Sequence, residues 1–189
     1  IEWANRGINM WTIDEGFINL VQGTATYDLP AATIDLIEQV IRTNAGSPTL
    51  QSDLNLSRIS VSTYSSVPNK LTQGRPIQVW VDRLRDNPTV TLWPVPDQGT
   101  ALAPYYVLRY WRLRRIQDAG AGVETPDMNF RFFPALVAGL AYYIATKIPE
   151  LMPRIEMLKG QYDEQYALAA GEDREKASIS LVPRIYGMG

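Results

Sequence analysis

The sequence predicts an α+β protein: an antiparallel helical bundle carrying an inserted antiparallel β-sheet module and ending in an extended C-terminal arm. Three observations predict it. Apolar residues alternate with period two through the middle of the chain, recur at helical spacing after residue 123, and form a strand-prone run beyond the last helix. The chain has 189 residues, 46% of them apolar, which suffices for one domain, or for a core with an inserted module.

Residues 1–7 read as the last turns of a bundle helix stopped by Gly7, so the chain is expected to begin further upstream. Residues 8–118 form the β-rich module. In its first strand, residues 13–21, Phe17, Asn19 and Val21 face away from Ile18 and Leu20. Gly23 and Tyr27-Asp28-Leu29-Pro30 make a turn. Residues 36–43 are rich in β-branching at Ile37, Val40 and Ile41 but are also spaced as a helix would be, so both readings stay open. Between residues 52 and 70, Leu56, Ile59, Thr63 and Val67 permit one short helix before Pro68. Ile77, Val79 and Val81 then oppose Gln78, Trp80 and Asp82, and the turn Arg85-Asp86-Asn87-Pro88 leads into a return strand, residues 89–93. Residues 105–113 alternate Tyr106, Leu108 and Tyr110 against Val107, Trp111 and Leu113, the third strand of a meander.

Ala119-Gly120-Ala121-Gly122 is a flexible joint, and residues 123–174 form a helical hairpin. Thr125 is placed to cap its first helix, with Pro126 at the first helical position. Phe133, Leu136, Val137, Leu140, Ala141, Ile144 and Ile148 are its expected inward stripe, and Pro149 ends it. The second helix, from about residue 150 to 170, turns Ile155, Leu158, Tyr162, Gln165, Tyr166 and Ala169 inward.

Composition narrows function. Cysteine and histidine are both absent, which excludes thiolate chemistry and removes the commonest general base and metal ligand. Net charge is −2, so a broad basic footprint for nucleic acid is lacking. The longest apolar stretch, residues 132–145, falls short of the roughly 20 residues of a spanning helix, and no membrane role is expected. Gly120 and Gly122 do not match a nucleotide-binding fingerprint, and no cofactor is expected.

Three clusters could carry chemistry. Asp14 and Glu15 suggest a carboxylate pair for hydrolysis, but neighbours on a strand point to opposite faces. Glu172, Asp173 and Glu175 could hold a hard cation, yet the interleaved Arg174 and Lys176 favour a solvated helix end. Arg109, Arg112, Arg114 and Arg115, mixed with Tyr110 and Trp111, have the interleaving used to stack on single strands. Arg109 and Trp111 fall on one face and Arg112 and Arg114 on the other, so the preferred reading is a sheet edge or interface whose arginines pair with carboxylates of a neighbour.

The arm, residues 175–189, carries the partner-binding candidates Ile179, Leu181, Val182, Pro183, Arg184, Ile185 and Tyr186. Ordering it costs roughly 1–2 kcal/mol per residue in backbone entropy, and burying five large side chains returns roughly 1.5–3 kcal/mol each. The two nearly cancel, so a partner is expected to add hydrogen-bonded contacts, as in strand addition.

Gly7-Ile8-Asn9-Met10-Trp11 with Glu15-Gly16, Pro68-Asn69-Lys70, Gly74-Arg75-Pro76, Asp82-Arg83 and Leu92-Trp93-Pro94 occur in this order, followed by Arg131-Phe132-Phe133-Pro134-Ala135-Leu136 and Glu172-Asp173-Arg174-Glu175. Taken together the chain resembles the head-to-tail adaptor (connector) proteins of short-tailed bacteriophages. The resemblance implies a structural protein of the virion neck and no catalytic residues. It implies a homo-oligomeric ring, commonly a dodecamer, contacting the portal protein, neighbouring adaptor subunits and a tail or nozzle protein. DNA passes through such a ring at ejection without specific binding. A carboxylate-dependent cell-wall hydrolase of the phage tail and a nucleic-acid-binding module are the alternatives.

Overall fold

The computed structural model describes Trp3, residues 12–117 and residues 125–173. The chain divides into two compact units, Ile1–Asp127 and Met128–Gly189.

The first unit contains eight strands in two sheets. β1 (Ile13–Asn19), β3 (Thr33–Thr43), β4 (Ser52–Asn55) and β8 (Tyr106–Arg114) form one sheet in the order β1-β8-β3-β4, with every neighbour antiparallel. β2 (Thr26–Asp28), β5 (Ser57–Arg58), β6 (Gln78–Asp82) and β7 (Thr89–Trp93) form the second in the order β2-β7-β6-β5, where β5 and β6 run parallel. A short helix, α1 (Val61–Ser65), is capped by the Ser60 hydroxyl, which accepts from the Thr63 amide at 3.2 Å.

Alternation builds the core. Ile18, Leu36, Ile41, Leu108 and Tyr110 point inward from the first sheet, and Val79, Val81, Val90 and Leu92 from the second, into one buried cluster. The 6–7 β-hairpin pairs Val79 with Leu92 and Val81 with Val90, as their shared face requires. On the outer face of that sheet Trp80 stacks on Tyr64 of α1, centroids 5.3 Å apart, and Thr26 and Thr91 share a 3.0 Å hydroxyl hydrogen bond. Gly16 lies opposite Tyr110, whose ring occupies the space that a Cβ would need, 2.5 Å away.

The second unit is a helical hairpin. A 3₁₀ turn, Phe130–Phe132, leads into α2 (Phe133–Ala145), and a second, Pro149–Arg154, leads into α3 (Ile155–Glu172). Phe132 packs edge-on to Tyr166 at 6.4 Å and Tyr142 stacks on Tyr162 at 6.5 Å.

These elements correct the expected architecture. The fold is α+β, but it is not a helical bundle with an inserted sheet: two four-stranded sheets own a complete core made solely of residues from the first unit. Residues 1–7, the expected bundle helix, lie outside the described residues apart from Trp3. β8 is not the third strand of a meander. It leaves the β6–β7 hairpin and inserts between β1 and β3, because Tyr106, Val107 and Leu108 are all buried, and only a central strand covers both of its faces. Tyr27 and Asp28, expected in a turn, belong to β2, and the short helix expected between residues 52 and 70 is α1, preceded by the two strands β4 and β5. Thr125 and Pro126 start no helix; α2 begins at Phe133 with Pro134 in its first turn.

The stripe of α3 is as expected, with Tyr162 and Ala169 buried. That of α2 is reversed. Its buried residues are Ala135, Gly139 and Ala145, while Phe133, Val137, Leu140 and Ile144 face solvent. Close approach is the reason: a Cβ on Gly139 would lie 2.9 Å from the Tyr162 ring, so only the small-residue face admits α3.

Candidate functional site

The arginine cluster falls on β8, whose alternation sends successive side chains to opposite faces of the first sheet. On the outer face Arg109 lies opposite Phe17, pairs with Glu15, and sits 5.8 Å from the Phe17 ring centroid, within cation–π range. Arg42 and Asp53 form a bidentate pair on the same face at 2.7 and 2.6 Å. That pairing holds the Asp53 carboxyl below its ordinary range.

On the inner side, Arg112 donates to the Thr33 hydroxyl at 2.9 Å and lies 3.4 Å from Asp14. Arg114 lies 3.2 Å from Asp14 and grips both oxygens of Asp127. The Gln117 amide also donates to Asp127, at 2.9 Å. The Arg114 hydrogen bond, helped by that amide, depresses the Asp127 pKa against the opposing effect of burial.

Arg109, Arg112 and Arg114 therefore answer carboxylates of their own chain, not of a neighbour, and β8 is central rather than a sheet edge. Those guanidiniums are already held, which leaves them poorly placed to follow a phosphate backbone. Asp14 and Glu15 point to opposite faces, each toward a different arginine, as the strand rule required. Among the described residues no group of three or more acidic side chains is placed to hold a metal ion. The helix end at Asp173 is not solvated: Asp173 is buried and pairs with Arg131, 42 residues away. Arg174, Glu175 and the arm residues Ile179, Leu181, Val182, Pro183, Arg184, Ile185 and Tyr186 lie outside the described residues.

Several scattered motif residues converge. The Trp93 indole donates to the Asn69 carbonyl at 3.1 Å, the Gly74 amide to the Val95 carbonyl at 2.8 Å, and Lys70 to the carbonyls of Ser65 and Val67. Arg83 reaches Asp35, which also binds Arg58 at 2.6 Å. Arg131, Phe132 and Ala135 clamp the hairpin through Asp173, Tyr166 and the α3 face. These motifs are therefore devices of folding. The surface that sequence reasoning missed is the exposed apolar face of α2, since a helix apolar all round has no periodicity to reveal which side turns outward.

A search of curated proteins finds no match. The family model described as SU10 adaptor protein matches residues 1–183. The match spans both compact units and nearly the whole chain, in agreement with the adaptor-like order of motifs, so the chain belongs to the SU10 adaptor protein family and is a structural adaptor component of a bacteriophage particle.

Proposed function

We propose that this protein is the repeating subunit of an oligomeric ring in the virion neck, joining the portal to the tail around the DNA channel. The observation that carries the reading is the family match over residues 1–183, which takes in both units and most of the arm. The arm supplies the longer-range contact: Ile179, Leu181, Val182, Pro183, Arg184, Ile185 and Tyr186 bind the portal or an adjacent subunit. In a ring, each further weak arm contact becomes intramolecular once the first has formed. A net charge of −2 and the in-chain pairing of Arg109, Arg112 and Arg114 suit a channel that lets DNA pass without holding it.

Deletion of residues 177–189 tests the proposal. The truncated chain should keep the circular dichroism of the full chain but fail to co-sediment with portal particles. Undiminished co-sedimentation would remove the arm from the mechanism.

A further inference from the structure

α2 contains no charged residue in its 13 positions, and several of its large apolar side chains are left outside. Phe133, Val137, Leu140 and Ile144 are 40–66% exposed. Their spacing, four, three and four, puts them within one narrow stripe, with β-branched Val137 and Ile144 alternating with Leu140. That is the seam pattern by which one helix receives another. A stripe at this spacing fits a second protein helix. Four side chains this exposed supply a substantial part of the about 800 Å² that each partner contributes to a standard interface.

The opposite side of the same hairpin has the complementary shape. The α3 residues facing away from α2 are Gly160, Ala167 and Gly171, edged by Met157 and Leu168, all exposed. A Cβ added at Gly160 or Gly171 would meet nothing within 4 Å. Glu164 lies within that face, and Glu156 and Asp163 border it beside Gly160. Bulky residues on one outer face and small ones on the other allow ridges to enter a groove.

We infer that the α2 stripe of one subunit packs on the outer α3 face of the next copy of this chain. The inference rests on the ring reading and names its interface. Because the two faces lie on opposite sides of the hairpin, the contact is heterologous and propagates from copy to copy until it closes, whereas α2 against α2 would stop at a dimer.

The full chain is the material for the test, and light-scattering mass is the readout. Wild type should sediment as a multiple of 21.3 kDa. Leu140→Glu and Gly160→Arg, both at exposed positions, should each fall to one chain mass with unchanged circular dichroism. Since the chain has no cysteine, Val137→Cys together with Gly160→Cys should give an oxidised ladder of multimers, while either cysteine alone should give none. A wild type that assembles while both charged variants assemble equally would overturn this interface and leave the ring reading standing. Crosslinked dimers from Val137→Cys alone would overturn it in favour of an α2–α2 contact. A wild type that stays at one chain mass, alone and with portal, would remove the ring reading itself.

Discussion

In the unit Ile1–Asp127 the large apolar side chains of two sheets point toward each other, and the arginines of β8 meet carboxylates of the same unit. In the unit Met128–Gly189 the hairpin closes over small residues and tyrosines, and Phe133, Val137, Leu140 and Ile144 of α2 point outward. The difference teaches that the two units close in different ways: the first packs two sheets over large apolar side chains, and the second packs two helices over small residues and tyrosines and leaves an apolar stripe of α2 outside.

The comparison breaks most readily at the centre of the first unit. Leu108 is fully buried on the central strand, so Leu108→Ala should lower stability by about 2–5 kcal/mol, read as a large fall in the urea midpoint. A change under about 1 kcal/mol would mean that the two sheets do not share a tight core. In the hairpin the sensitive point is small rather than large. Gly139→Val should cost about 1–3 kcal/mol by driving into Tyr162, and near-UV circular dichroism should show the tyrosine signal altered.

Asp127→Asn comes next, at about 1–2 kcal/mol, through loss of the charge-assisted bonds from Arg114. The Asp127 pKa is depressed in the folded chain. Its contribution is therefore fully present above the ordinary carboxyl value of 3.8 and is lost as pH falls through the lower folded value. Melting curves of wild type and Asp127→Asn should accordingly differ at neutral pH and converge in acid below that range; a gap that widened in acid would contradict the pairing. The smallest effect should come from Val137→Ser on the exposed stripe, within about 0.5 kcal/mol for the dilute monomer. A larger loss there would show that the stripe belongs to the hairpin's own core.

Much of the local structure was legible. Val79 and Val81 against Trp80, the turn at Arg85-Asp86-Asn87-Pro88, and the α3 stripe through Tyr162 and Ala169 were readable because each pattern is written within one element. The placement of β8 was not, since nothing near Tyr106 says whether its partner is β7 or the distant β1 and β3. The Arg131–Asp173 pair is equally nonlocal, and the acidic helix end was misread as solvated for that reason. For the candidate surface, the apolar character of α2 was evident from the residues, and its direction was inverted.

By itself the sequence determined the mixture of helix and strand, the exclusion of cysteine and histidine chemistry, and an adaptor-like order of motifs that the family match bears out. The tertiary structure alone decided which strands pair, where the arginines of β8 find their counter-charges, and which side of α2 is left open. Periodicity reports the shape of one segment, whereas pairing and facing depend on volume and charge contributed by residues far away in the chain. Gly139 shows this most simply: its missing side chain is neutral in any local pattern, yet beside Tyr162 it turns the helix.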